Sequence, residues 1–238
     1  MKKIKLVCLV VLLFSLTSVG TVFAKEDISS SLEFYGLKEI KSTTEIKREG
    51  NVEVTITRQE FKGSKEELEA VIEQMRQEGR FIMEVDQSEE PSGVSTQGLK
   101  IGNSMKYKGD KCSRGFVWAC VYGNGELSAN AFGLLGYTTS GQIISQITKD
   151  PETNSNVTDF VSRPRQKVVA YGLVGGESIV VNTYEYIHPD WESLAVFNFQ
   201  EKELAILVYV EVFQGAEFKY KVNGASHSMT LWADIVQE

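Results

Sequence analysis

Residues 116–122 read Phe-Val-Trp-Ala-Cys-Val-Tyr. Laid out as a strand, Phe116, Trp118, Cys120 and Tyr122 fall on one face and Val117, Ala119 and Val121 on the other. A strand that is apolar on both sides belongs in the middle of a sandwich or barrel. Trp118 is expected to fill that core.

The flanking sequence has the same strand-and-turn character. Residues 167–174 and 177–187 are apolar runs on either side of Gly175-Gly176, a hairpin signal. Residues 194–199 and 204–213 flank the polar stretch Gln200-Glu201-Lys202-Glu203. Phe218, Tyr220 and Val222 alternate with charged residues, and Asn223-Gly224 turns the chain. Met229, Leu231, Ala233 and Ile235 alternate on the return. Residues 99–238 therefore read as an all-β antiparallel sandwich or barrel. Residues 128–147 hold enough Ala and Leu to allow a short helix. Residues 149–165 read as a long polar loop.

Residues 25–85 read as a small α+β domain of order ββαβ. Ile40 to Ile46 and the alternation of Val52, Val54 and Ile56 give two strands around the Gly50-Asn51 turn. Ser64 with Glu67 three residues later is a capping box. Leu68, Val71, Ile72 and Met75 form one helical stripe, and Gly79 supplies the stop. A short strand, 81–85, follows. Residues 86–98, with Ser, Glu, Gly and one Pro and only Val94 as an aliphatic, form a polar linker open to processing. Overall the chain is expected to be mainly β.

Residues 1–24 have the form of a signal peptide. Lys2, Lys3 and Lys5 precede an apolar run from Leu6 to Leu16, and Val22-Phe23-Ala24 is a small-x-small cleavage site. Polar residues after Leu16 leave the run short of a membrane span. The expected localisation is secreted, outside the cell. Cleavage would remove three positive charges and take the net charge from −7 to −10. So acidic a product argues against nucleic acid as a partner and against adsorption to an anionic membrane.

Cleavage would also remove Cys8 and leave Cys112 and Cys120, an even pair that suggests a disulfide in an oxidising compartment. Ser113-Arg114-Gly115 is the better turn chemistry between them. That turn would pair Cys112 with Phe116, so a bridge would need Cys112 to fold back from a loop.

Catalytic signals are sparse. The chain has two histidines, His188 and His227, and a serine or cysteine hydrolase would need one of them as its base. Cysteine and histidine pairs at zinc spacing are absent, and no cofactor or metal is expected. Trp191, in the turn-like His188-Pro189-Asp190-Trp191, is the best candidate for a ring exposed to a ligand, with His188 beside it; the alternative is that it folds back as a core lid, as large rings more often do. Lys100, Lys106, Lys108, Lys111 and Arg114 form a basic cluster that could hold an anionic polymer.

These features point to a secreted, non-catalytic binding protein with an extracellular protein or polysaccharide as ligand. A toxin-like or antimicrobial protein cut from a precursor is one alternative. A secreted hydrolase using His188 or His227 is the other.

Overall fold

A computed structural model of the chain describes residues 32–50, 52–86, 99–100, 102–132 and 134–238. The signal segment 1–24 and the linker, apart from Asp86, lie outside the described residues. After a 3-10 turn at Leu32–Tyr35 come β1 (Lys38–Glu49), β2 (Val52–Lys62), α1 (Lys65–Gln77), β3 (Ile82–Asp86) and β4 (Leu99–Lys100). The chain continues with β5 (Ser104–Arg114), β6 (Val117–Phe132), β7 (Leu134–Lys149), β8 (Val157–Val174) and β9 (Ser178–Ile187). It ends with β10 (Leu194–Leu204), β11 (Tyr209–Val222), β12 (Ala225–Trp232) and β13 (Asp234–Gln237).

Among the described residues the strands form two sheets. The larger runs β1-β2-β9-β8-β11-β3-β4, with β12 also beside β11; the smaller runs β10-β7-β6-β5-β13. Pairing is antiparallel except between β3 and β4. The protein is thus mainly β, as expected. Val168, Ala170, Val210 and Val212 of the larger sheet share one buried cluster with Tyr107, Val121, Leu127 and Ile143 of the smaller.

The opposite face of the larger sheet lies under α1. The capping box forms: Ser64 Oγ accepts from the Glu67 N–H, and Glu67 Oε2 accepts from the Ser64 N–H. Leu68, Val71, Ile72 and Met75 are buried against Phe61, Val169, Tyr171 and Ile179. This double covering explains why consecutive residues of β8 and β9, polar ones included, are buried on both faces.

The N-terminal strands do not stand apart from residues 99–238. β2 pairs with β9 from Glu53↔Ile187 to Lys62↔Ser178, and β3 pairs with β11. A three-stranded sheet covered by one helix would leave its other face bare. Joining the larger sheet instead buries Val54, Met83 and Val85 in the inter-sheet core.

Three local expectations are corrected. Residues 128–132 and 134–147 are strand, not helix, because β7 pairs with β6 on one side and β10 on the other. The polar stretch 149–165 is mostly β8, which pairs with β11 even at Ala216↔Pro164. Pro164 is tolerated because β8–β9 pairing has already stopped at Arg165↔Ile187. The break expected at 200–203 lies at Ala205–Val208, between β10 and β11. The Asn223-Gly224 turn forms as expected, with φ of 49° and 84°, the left-handed pair that a two-residue hairpin requires.

Candidate functional site

Cys112 and Cys120 are bonded. They face each other in the β5–β6 hairpin, which turns at Gly115-Phe116. The expected turn at Ser113-Arg114-Gly115 and the pairing of Cys112 with Phe116 do not occur. The Gly115 N–H instead donates to the Val117 carbonyl at 3.0 Å, closing the hairpin one step later. That step places Cys112 on the neighbouring strand, directly opposite Cys120, so no loop has to fold back.

The register so fixed sets Arg114 opposite Trp118 and Asp110 opposite Tyr122. These β6 rings therefore share the face of the charged β5 residues, and that face is the outer one. Trp118 is 49% exposed and Tyr122 44%, while Val117, Ala119 and Val121 are buried. The expectation that Trp118 fills the core is corrected: the core takes the small and aliphatic face of β6, where the opposing sheet presses close.

Rows of side chains cross the outer face. Tyr122 lies beside Ile144 and Val196, and Cys120 beside Gln146 and Leu194. Asn124 lies beside Gln142 and Asn198, whose side chains bond to each other at 2.9 Å. Leu194 and Val196 are exposed. The Tyr122 hydroxyl sits 3.6 Å from Cys112 Sγ, so the ring is held beside the disulfide.

Trp118 is braced as well. The Arg114 guanidinium lies 6.0 Å from its ring centre and bonds Asp150 at 2.6 Å and Glu152 at 2.7 Å. The Asp150 carboxyl is held below the usual carboxylate range, first by Arg114 and then by the Glu152 backbone N–H. Two lysines of the basic cluster are paired as well: Lys108 with Glu238 and Lys111 with Asp234, each at 3.0 Å.

The sequence candidates lie elsewhere. The loop after β9 is pinned to β8 where Ser162 and Glu192 exchange backbone hydrogen bonds. This sets Trp191 between two cations, Lys219 Nζ at 3.9 Å and Arg163 Cζ at 4.7 Å from the ring centre. Glu217 in turn bonds Arg163 and Arg165. His188 turns to Phe197, edge-on with centroids 5.6 Å apart, and its Nδ1 accepts from the Asp190 N–H. Trp191 and His188 thus share no partner among the described residues. His227 stacks on Tyr220, with centroids 5.4 Å apart. Trp232, half-buried, lies under Arg165.

A groove of about 530 Å³ opens beside β1, β2 and β9, lined by Thr43, Ile56, Arg58, Asn182, Tyr184 and Glu203. Burial pushes the Tyr184 hydroxyl up to about 12. Among the described residues no group of three or more His, Cys, Asp or Glu stands close enough to hold a metal ion. Among them, too, no helix is long and apolar enough to cross a membrane. No protein-family model matches the chain, and comparison with curated proteins and with solved structures finds no match.

Proposed function

We propose that this chain is a secreted, non-catalytic binding protein, an antiparallel β-sandwich that captures its ligand on the outer face of its smaller sheet. One observation carries this reading: Trp118 and Tyr122 stand exposed on β6, with paired strands on both sides. Exposed aromatic rings on a rigid element offer large contact area with little ordering cost. The disulfide beside them is the kind of bond that oxidising compartments maintain, and it accords with the signal-like segment 1–24.

The histidines support the non-catalytic side of the reading. His188 is engaged by backbone and Phe197, and His227 by Tyr220. Neither bonds a carboxylate among the described residues, which is the partner that would orient a catalytic imidazole.

The test compares variants for retention on extracellular polymers and proteins from the protein's native setting. Trp118→Ala and Tyr122→Ala are expected to lose retention, and the double variant His188→Ala/His227→Ala to keep it. The reverse outcome would overturn the proposal. Terminal sequencing and mass of the exported form test secretion; a form beginning at Lys25 and two mass units below the reduced chain is expected. A chain cut within 86–98 would favour the processed-toxin alternative instead.

A further inference from the structure

We infer that the ligand held by the outer face of the smaller sheet is a neutral, extended polysaccharide. This assignment rests on the binding reading above and names its ligand class.

The first support is the charge pattern. Nearly a quarter of the chain is charged, yet the outward positions of β6 from Trp118 to Asn124 carry no charge. The same holds for the outward positions of β7 from Thr138 to Thr148 and of β10 from Leu194 to Gln200. What stands there instead is aromatic, aliphatic, amide and hydroxyl. Gln142, Gln146 and Asn198 each offer both donor and acceptor, which matches a ligand whose hydroxyls do the same. Trp118 and Tyr122 offer apolar ring faces to the C–H faces of sugar rings.

The second support is geometry. Four residues of strand separate the two rings by about 13 Å. The Cys112–Cys120 disulfide lies between them, so along β6 itself no long side chain rises between the two rings, and Gln146 and Leu194 continue that row on β7 and β10. A flat run with an aromatic at each end suits a chain that lies along β6 and meets both rings at once.

The other ligand classes fit less well. An anionic polymer needs uncompensated cations, whereas Arg114, Lys108 and Lys111 already hold acids of this chain. A lipid surface would bury the amides of the same face without partners, at a cost of a few kcal/mol for each unsatisfied group.

The experiment is retention of the full secreted chain on a panel. It comprises insoluble cellulose, chitin, β-1,3-glucan and starch, a polygalacturonate matrix, and phosphatidylcholine and phosphatidylglycerol vesicles. Wild type is compared with Trp118→Ala, Tyr122→Ala and Gln142→Ala/Gln146→Ala. Circular dichroism and thermal melting check that each variant is folded. The expected result is retention on at least one neutral glycan, unchanged in 0.5 M salt and weakened about tenfold or more by each ring deletion, about 1.4 kcal/mol.

Retention only on polygalacturonate or only on vesicles, abolished in Trp118→Ala, overturns the neutral-glycan class and leaves the face standing. Retention that both ring variants keep overturns the face itself. No retention on any neutral glycan also overturns the inference.

Discussion

The Lys219 ammonium lies 3.9 Å from the centre of the Trp191 ring. With Arg163 at 4.7 Å, this loop tryptophan is engaged from within the protein. Its role is to fasten the loop between β9 and β10 to β8 and β11. Trp191→Ala is therefore expected to leave ligand retention unchanged and to lower stability by about 1–3 kcal/mol, the combined scale of two cation–π contacts and lost apolar burial. Chemical denaturation alongside the retention assay checks both halves.

The disulfide closes a short loop, with eight residues of sequence separation. Cys112→Ser/Cys120→Ser should cost about 2.5 kcal/mol on the loop-entropy scale. The loss appears in urea unfolding as a lower midpoint. Because the bond also supports Tyr122, the same double variant should weaken ligand retention.

Glu211 is 1% exposed and takes a paired contact from the Arg80 guanidinium, as well as a 3.0 Å hydrogen bond from Tyr171. Glu211→Ala leaves a guanidinium partly buried without its counter-charge and is expected to cost about 3–5 kcal/mol. Arg80→Met/Glu211→Leu should recover much of that loss. A double-mutant cycle by denaturant titration measures the coupling.

Gly125 lies where a Cβ would come within 2.5 Å of the Tyr107 hydroxyl and 2.8 Å of the Ser140 carbonyl. Gly125→Ala should destabilise by about 1–3 kcal/mol through overpacking. Gly115→Ala, where a Cβ meets nothing within 4 Å, serves as the control and should stay within about 0.5 kcal/mol.

The Asp150 carboxyl is depressed by Arg114 and by the Glu152 N–H. A depressed carboxylate contributes stability that is complete above its unfolded value, about 3.9, and lost as pH falls through the lower folded value. Wild type should therefore lose stability relative to Asp150→Asn as pH drops below about 4, and the two curves should run parallel above pH 5. Thermal melts across pH 3–7 provide the comparison. Trp118 fluorescence should shift over the same acid range as Arg114 loses its anchor.

Much of the architecture was legible in the sequence. The α1 capping box, the β2 alternation and the Asn223-Gly224 turn are local signals, and each forms as read. What the sequence hid depends on distant pairing. Trp118 reads as core because its strand is apolar on both faces; only the β5 neighbours, Arg114 and Asp110, reveal that its face is the outer one. The Cys112↔Cys120 register would have exposed this, had the turn been placed at Gly115-Phe116. Trp191 reads as the candidate exposed ring, or else a core lid, because it lies in a loop. The cations that engage it come from Arg163 and Lys219, 28 residues away in either direction. β8 was hidden by Asp159, Arg163 and Pro164, polar or strand-breaking residues tolerated at a bulge and beyond the end of β9.

The topology also imposes an order in time. Both cysteines of the disulfide are present once residue 120 has been made, and the β5–β6 pairing is complete at residue 128, so this clasp can close before the rest of the chain follows. β2 can close a hairpin with β1 just as early, but its other partner, β9, begins at Ser178, and β3 waits for Tyr209 on β11. The earliest strands to appear are among the last to find their places, and until then Val54, Phe61 and Met83 are exposed to water and to other chains. Until β9 and β11 arrive, the β1–β2 hairpin and the β3–β4 pair have no further strand of the larger sheet to join.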